Sequence, residues 1–249
     1  RHTRYIGDWS SDVCSSDLYV FNNGTTYDSN KVYGLTTGNY VFKNISKAHP
    51  MAILNSGNSN ITYEANDDNP IIIKVSGGQL IASNGDYFSF TDSNDNSIIS
   101  IGNGSFKFMR GRTYNFVADG ISGSHLFKIY MNGAFQDDNN GSNTGITGTG
   151  DSITITILSD HSTAANELYY QCGISGHSGM KANMQLFYKN VSETNEANGN
   201  YDFYYGDIDV TVSGDFGNLS VYCFYHGYMG GKDIFNYVPD EVTTGLMED

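Results

Sequence analysis

The chain has 249 residues, 39% of them hydrophobic, with 19 tyrosines, 14 phenylalanines, 29 glycines and only 3 prolines. A net charge of −14 argues against nucleic acid or an anionic membrane surface as partner, since both are polyanions. No apolar run approaches the ~18 residues that a membrane-crossing helix needs, and this composition predicts short strands joined by Asn/Gly/Ser turns, not long amphipathic helices.

At the amino terminus, residues 8–18 (DWSSDVCSSDL) resemble the in-frame translation of a sequencing-library adapter. Residues 1–18 are therefore expected to be a non-native scar and are set aside from the fold; the alternative is a genuine polar tail. With them go His2, Trp9 and Cys14, which leaves two cysteines and five histidines. The native start is then missing, and no leader segment is readable.

The first clear strand lies in GNYVFKNISKAHP (38–50), where a Tyr-x-Phe pair is followed by a polar turn and His49. EANDDNP (64–70) is acidic and turn-rich and reads as a linker. TDSNDNS (91–97) and QDDNNGSN (136–143) only superficially resemble calcium loops; Gln136 stands where the first acidic ligand is needed, so both read as turns. Phe106 and Phe108 alternate in SFKF, and RTYNFVADGISGSHLF (112–127) repeats the earlier strand–turn–histidine pattern with His125. Ile153, Ile155 and Ile157 alternate in SITITI, as do Ala182, Met184 and Leu186 in KANMQL and Ile208, Val210 and Val212 in DIDVTV. No i, i+3, i+4, i+7 stripe persists, so the fold is expected to be all-β. His161, in SDHSTAANE, has no chemical companions nearby and is expected on the surface.

Both remaining cysteines sit in one kind of motif: YYQCGISGHSGM (169–180) and VYCFYHGYMGG (221–231) each run Cys, His, Met, spaced C-x4-H-x2-M and C-x2-H-x2-M. A thiolate and two imidazoles with a more distant thioether form a soft ligand set that suits copper in both oxidation states. Zinc prefers four strong ligands and rarely takes methionine. A disulfide between Cys172 and Cys223 is the competing use of the cysteines, and metal-free relic loops are another.

Sequence separation bears on the layout. His125 to Cys172 spans 47 residues, but His49 to Cys223 spans 174. Removing one inserted domain of roughly 120 residues brings the second separation close to the first. NVSETNEANGN (190–200) then reads as the second linker of an insertion. The expected organisation is an outer domain (19–68 plus 199–238) interrupted by an inner one (70–189), with an acidic tail at 239–249; a plain tandem is the alternative.

These motifs resemble the cupredoxins, the small blue-copper family that includes plastocyanin, azurin and amicyanin. The resemblance implies two Greek-key β-sandwiches, one inserted in the other, each holding one copper. Its ligands would be His125, Cys172, His177 and Met180 in the inner domain, and His49, Cys223, His226 and Met229 in the outer. It further implies one-electron transfer with a redox protein partner and a place outside the cytoplasm, whether periplasmic, secreted or on a virion surface. Many family members carry Asn after the first histidine, with its amide bonded to the copper-bound sulfur. Here those places hold Pro50 and Leu126, and because proline has no amide hydrogen the outer site is expected to have the lower potential. Copper oxidases built from such domains use His-x-His pairs, and this chain has none. A structural or surface β-sandwich with vestigial or stabilising metal sites is the remaining class.

Overall fold

Alternating apolar residues set the faces of the strands. In Ile71–Gly77, Ile71, Ile73 and Val75 are buried while Ile72 and Lys74 face out; Ile153, Ile155 and Ile157, and Ile208, Val210 and Val212, are buried in the same way. The computed structural model describes residues 3–6, 31–66, 69–131, 134–135, 145–148, 151–162, 164–165, 167–193 and 198–239. Every regular element among them is a strand, so the protein is all-β and β-sandwich-like. No helix of the described residues is long and apolar enough to cross a membrane.

The chain divides into two compact units, Arg1–Asn66 with Lys189–Asp249, and Asp67–Tyr188. In the second unit a six-stranded sheet runs in the order Ile146–Thr147, Ser152–Thr156, Thr113–Ile121, Ile71–Gly77, Ser89–Asp92 and Ile98–Ile99. Only the central pair, Thr113–Ile121 with Ile71–Gly77, is parallel. A four-stranded sheet orders Ala134–Phe135, Phe127–Met131, Leu168–Cys172 and Lys181–Asn183. Aromatic rings join the two sheets: Phe127 lies 5.8 Å from Phe90 and 5.2 Å from Phe116, and Tyr170 lies 5.2 Å from Phe90 between centroids. Such tilted and edge-on contacts add to the burial of large apolar surfaces.

One polar group is deep in this core. Asp86 accepts hydrogen bonds from the Ser100 hydroxyl (2.8 Å), the Ile101 and Gly102 amides (2.9 and 2.8 Å) and the Tyr170 hydroxyl (2.8 Å). A buried carboxylate is tolerated only when its oxygens are satisfied in this way. Burial first, and the Asp86 carboxylate second, push the Tyr170 phenol up, so it stays protonated and donating. The strand that ends in Cys172 is thereby pinned two residues before its last position.

In the first unit Gly38–Ile45 pairs antiparallel with Gly206–Val212, which pairs antiparallel with Ile61–Ala65. Thr3–Ile6, the only described part of the segment set aside as a scar, pairs parallel with Gly38–Ile45 along residues 39–42. Two three-stranded sheets also belong to the unit: Asn218–Leu219, Phe235–Tyr237 and Tyr33–Leu35, and Gly227–Tyr228, Val221–Cys223 and Met51–Ile53. Phe42 and Phe235, both buried, meet at 5.6 Å.

Several segments differ from expectation. The 190–200 stretch contributes its two ends to Tyr188–Val191 and Gly199–Asp202, which pair as a two-stranded sheet, so those ends are strand and not linker. Phe106 and Phe108 lie in no ladder strand; Phe108 makes a single bridge to Leu186, because amide bonds from Gly104 and Phe106 back to Ile101 and Ser100 fold the segment into turns. The 91–97 segment agrees with expectation: after the strand Ser89–Asp92 it turns, closed by the Asp92 amide on the Ser97 carbonyl. QDDNNGSN and all of the tail but residue 239 lie outside the described residues.

Candidate metal centres

In the second unit the Cys172 strand enters the site from the core, with Leu168, Tyr169 and Tyr170 buried ahead of it. Its neighbour Phe127–Met131 pairs Phe127 against Cys172, which sets His125 two residues off the ladder's end. The Gly173 amide donates to the Leu126 carbonyl (2.7 Å) and extends the tie toward His125. His125 sits in a tight turn: its amide donates to the Ser122 carbonyl (2.8 Å), and the Ser124 amide to the Ser122 hydroxyl (3.4 Å). The loop after the cysteine closes when the Cys172 amide donates to the Met180 carbonyl (2.9 Å), with His177 and Met180 donating to carbonyls three residues earlier.

The first unit repeats this arrangement. Cys223 pairs with Met51, two residues beyond His49, and the Phe224 amide donates to the Pro50 carbonyl (2.8 Å). The His49 amide donates to the Ser46 carbonyl (2.9 Å) and the Ala48 amide to the Ser46 hydroxyl (3.2 Å). The shorter Cys–His loop is a hairpin in which Cys223 pairs with Gly227. Gly227 has φ of +79°, a backbone conformation that glycine adopts at little cost.

The imidazoles present Nδ1 to the sulfur at both places. From Cys172 Sγ, His125 Nδ1 lies 3.8 Å away and His177 Nδ1 3.7 Å. From Cys223 Sγ, His49 Nδ1 lies 4.0 Å away and His226 Nδ1 3.5 Å. Ring centroids are 5.0 Å apart for His125 and His177 and 4.9 Å apart for His49 and His226. Donors bonded to one ion at about 2.0–2.3 Å stand roughly 3.3–3.8 Å from each other. Three of the four measured separations fall in that range and the fourth, 4.0 Å for His49, is slightly longer; each set of ligand atoms falls within 4.8 Å. Two His/Cys groups that could hold a metal ion are therefore present, His125–Cys172–His177 and His49–Cys223–His226.

The burial is graded. Cys172 and Cys223 are 1% and 0% exposed, the histidines are partly exposed, and His226 is open to solvent. Both cysteines are free, so the disulfide reading fails. Met180 and Met229 are buried at the same loops: Met180 through its carbonyl on the Cys172 amide, Met229 one residue beyond Gly227–Tyr228. His161 joins neither group and is not on the surface. It is 2% exposed, its ring Nδ1 accepts from the Leu158 amide (3.3 Å), and its carbonyl accepts from Arg110 Nη2 (2.8 Å).

Three supporting features had no counterpart in the sequence reading. Ser46 and Ser122, each three residues before its histidine, build the two turns; the shared Ser-x-x-His spacing was the available signal. Gly78, with φ of +116°, lies against His125 so closely that a Cβ there would meet three atoms of that side chain at 2.7–2.9 Å. Lys189 lies among the rings of Phe203, Tyr222 and Phe224. Set against protein-family models, curated proteins and solved structures, the chain matches none of them.

Proposed function

We propose that the protein is a two-domain cupredoxin, one Greek-key sandwich inserted in the chain of the other, that binds two coppers and transfers single electrons. The observation that carries this reading is the duplication of one arrangement: a buried cysteine flanked by two Nδ1-presenting histidines, tied by the same backbone bonds, in each compact unit. The discontinuous first unit supports the insertion. The ligand chemistry supports copper over zinc, because a methionine follows each histidine at the same interval and zinc seldom uses thioethers.

In this reading Cys172 with His125 and His177, and Cys223 with His49 and His226, would hold the metal, with the buried Met180 and Met229 as candidate further sulfur ligands. Copper bound there would supply a one-electron couple. The chain's own residues exclude water from the thiolates and keep the imidazoles fixed through both oxidation states. The Ser46 and Ser122 turns hold the upstream histidines in place, so little rearrangement accompanies the change of charge. His226 and His177 bring each centre to the surface, where a redox protein partner would dock. A location outside the cytoplasm is the part of this reading that rests on the family resemblance alone.

Adding Cu(II) to reduced, metal-free protein tests the reading. An intense visible thiolate-to-copper band that bleaches with one electron per copper and returns on oxidation is expected. Colourless binding, or oxygen consumption with a reductant, would point instead to a structural metal or an oxidase.

A further inference from the structure

The neighbours of Cys223 on both sides touch the same ammonium group. Lys189 Nζ lies 5.1 Å from the ring centroid of Tyr222, 5.0 Å from that of Phe224 and 5.4 Å from that of Phe203. It also donates a hydrogen bond to the Phe224 carbonyl. Phe203 is fully buried and Tyr222 nearly so, so the lysine's aliphatic stem and head are held against apolar surface. A counter-charge stands across the same ring: the Tyr222 hydroxyl donates to Glu193 Oε1 at 2.7 Å.

Burial pushes the Lys189 ammonium down, whereas the charges of Cys223 and Glu193 push it up. An ammonium within about 6 Å of three ring faces is attracted to each, which favours the charged form in this cage. Lys189 is therefore a fixed cation bracketed by the two residues that flank the thiolate.

We propose that Lys189 and Glu193 act as an opposed charge pair that sets the preference of the Cys223 centre between Cu(I) and Cu(II). This rests on the copper reading above. With one thiolate and two neutral imidazoles, the centre is neutral with Cu(I) and carries one positive charge with Cu(II). A cation close enough to interact electrostatically with Cys223 disfavours the added charge and so favours Cu(I), and an anion has the opposite effect. Lys189 thus acts as a positioning residue through charge, with no bond to the metal. Among the described residues, the rings that Lys189 meets include both neighbours of Cys223 and neither neighbour of Cys172.

The test measures Cu(I) and Cu(II) affinities by competition with chelators in the whole chain carrying Cys172→Ser, so that only the Cys223 centre reports. Lys189→Gln is expected to lower the Cu(I):Cu(II) affinity ratio about tenfold, Glu193→Gln to raise it by a few fold, and Lys189→Arg to leave it near the parent value. Opposite signs separate charge from mere disturbance of packing, which would move both variants the same way. An unmoved ratio in Lys189→Gln, or shifts of one sign in both neutral variants, overturns the proposal while copper uptake itself stays normal. A chain that takes up no copper at either centre overturns the functional reading, and this inference with it.

Discussion

Cys223 Sγ lies 4.0 Å from His49 Nδ1, although 174 residues separate them in the chain. The corresponding pair in the second unit, Cys172 and His125, is 3.8 Å apart across 47 residues. Both pairs are set by one construction, in which the strand after the histidine is laddered to the strand that ends at the cysteine.

Gly78 supports only one of these pairs. A methyl group there would collide with the His125 ring while also meeting an unfavourable φ. Gly78→Ala should displace the ring and weaken copper at the Cys172 centre by about tenfold or more. Competition titrations in Cys223→Ser and Cys172→Ser backgrounds check this: the first should show the loss and the second should not. Equal effects at both centres would mean that the substitution acts through general instability.

Pro50 stands where the cupredoxins, which these motifs resemble, carry a residue whose amide hydrogen faces the sulfur, and its carbonyl accepts from Phe224. Pro50→Ala restores a donor without removing that bond, and should raise the potential of the Cys223 centre. Pro50 and Lys189 thus act in opposite directions. By redox titration the Cys223 centre is expected to lie below the Cys172 centre, and further below it in Lys189→Gln; equal potentials or the reverse order in the parent would refute the proline argument.

Tyrosines govern behaviour in alkali. Burial, then the bond to Glu193, pushes the Tyr222 phenol up to about 12, and burial pushes Tyr170 up as well. In the unfolded chain both ionise near pH 10, so above that pH the unfolded state gives up protons that the folded state retains. Stability is therefore intact below about pH 10 and is lost as pH rises, for Tyr222 through about 12. Tyr222→Phe should be less stable near neutrality but lose stability less steeply between pH 10 and 12, by at most about 1.4 kcal/mol per pH unit. Denaturant midpoints at several alkaline pH values measure this; identical slopes would contradict it.

The sequence displays strands and ligands to different degrees. SITITI and DIDVTV alternate cleanly, and their isoleucines and valines are buried as that alternation requires. The cysteines and loop histidines were legible because three scarce residue types recur at fixed short spacing. His161 was misread because its burial comes from tertiary contacts, including Arg110 51 residues away, which a polar local stretch does not advertise. Asp86 and Lys189 escaped notice for the same reason: their partners are scattered along the chain and meet only after folding. Phe106 and Phe108 alternate like a strand, but nearby turn bonds leave Phe108 only one bridge.

Copper content by equilibrium dialysis of the reduced protein, compared with Cys172→Ser and Cys223→Ser, addresses the two-centre arrangement most directly. Two coppers in the parent and one in each variant, every bound copper contributing a thiolate band, is the expected result. A single copper lost with either substitution, or none in the parent while both thiols react freely, would contradict it.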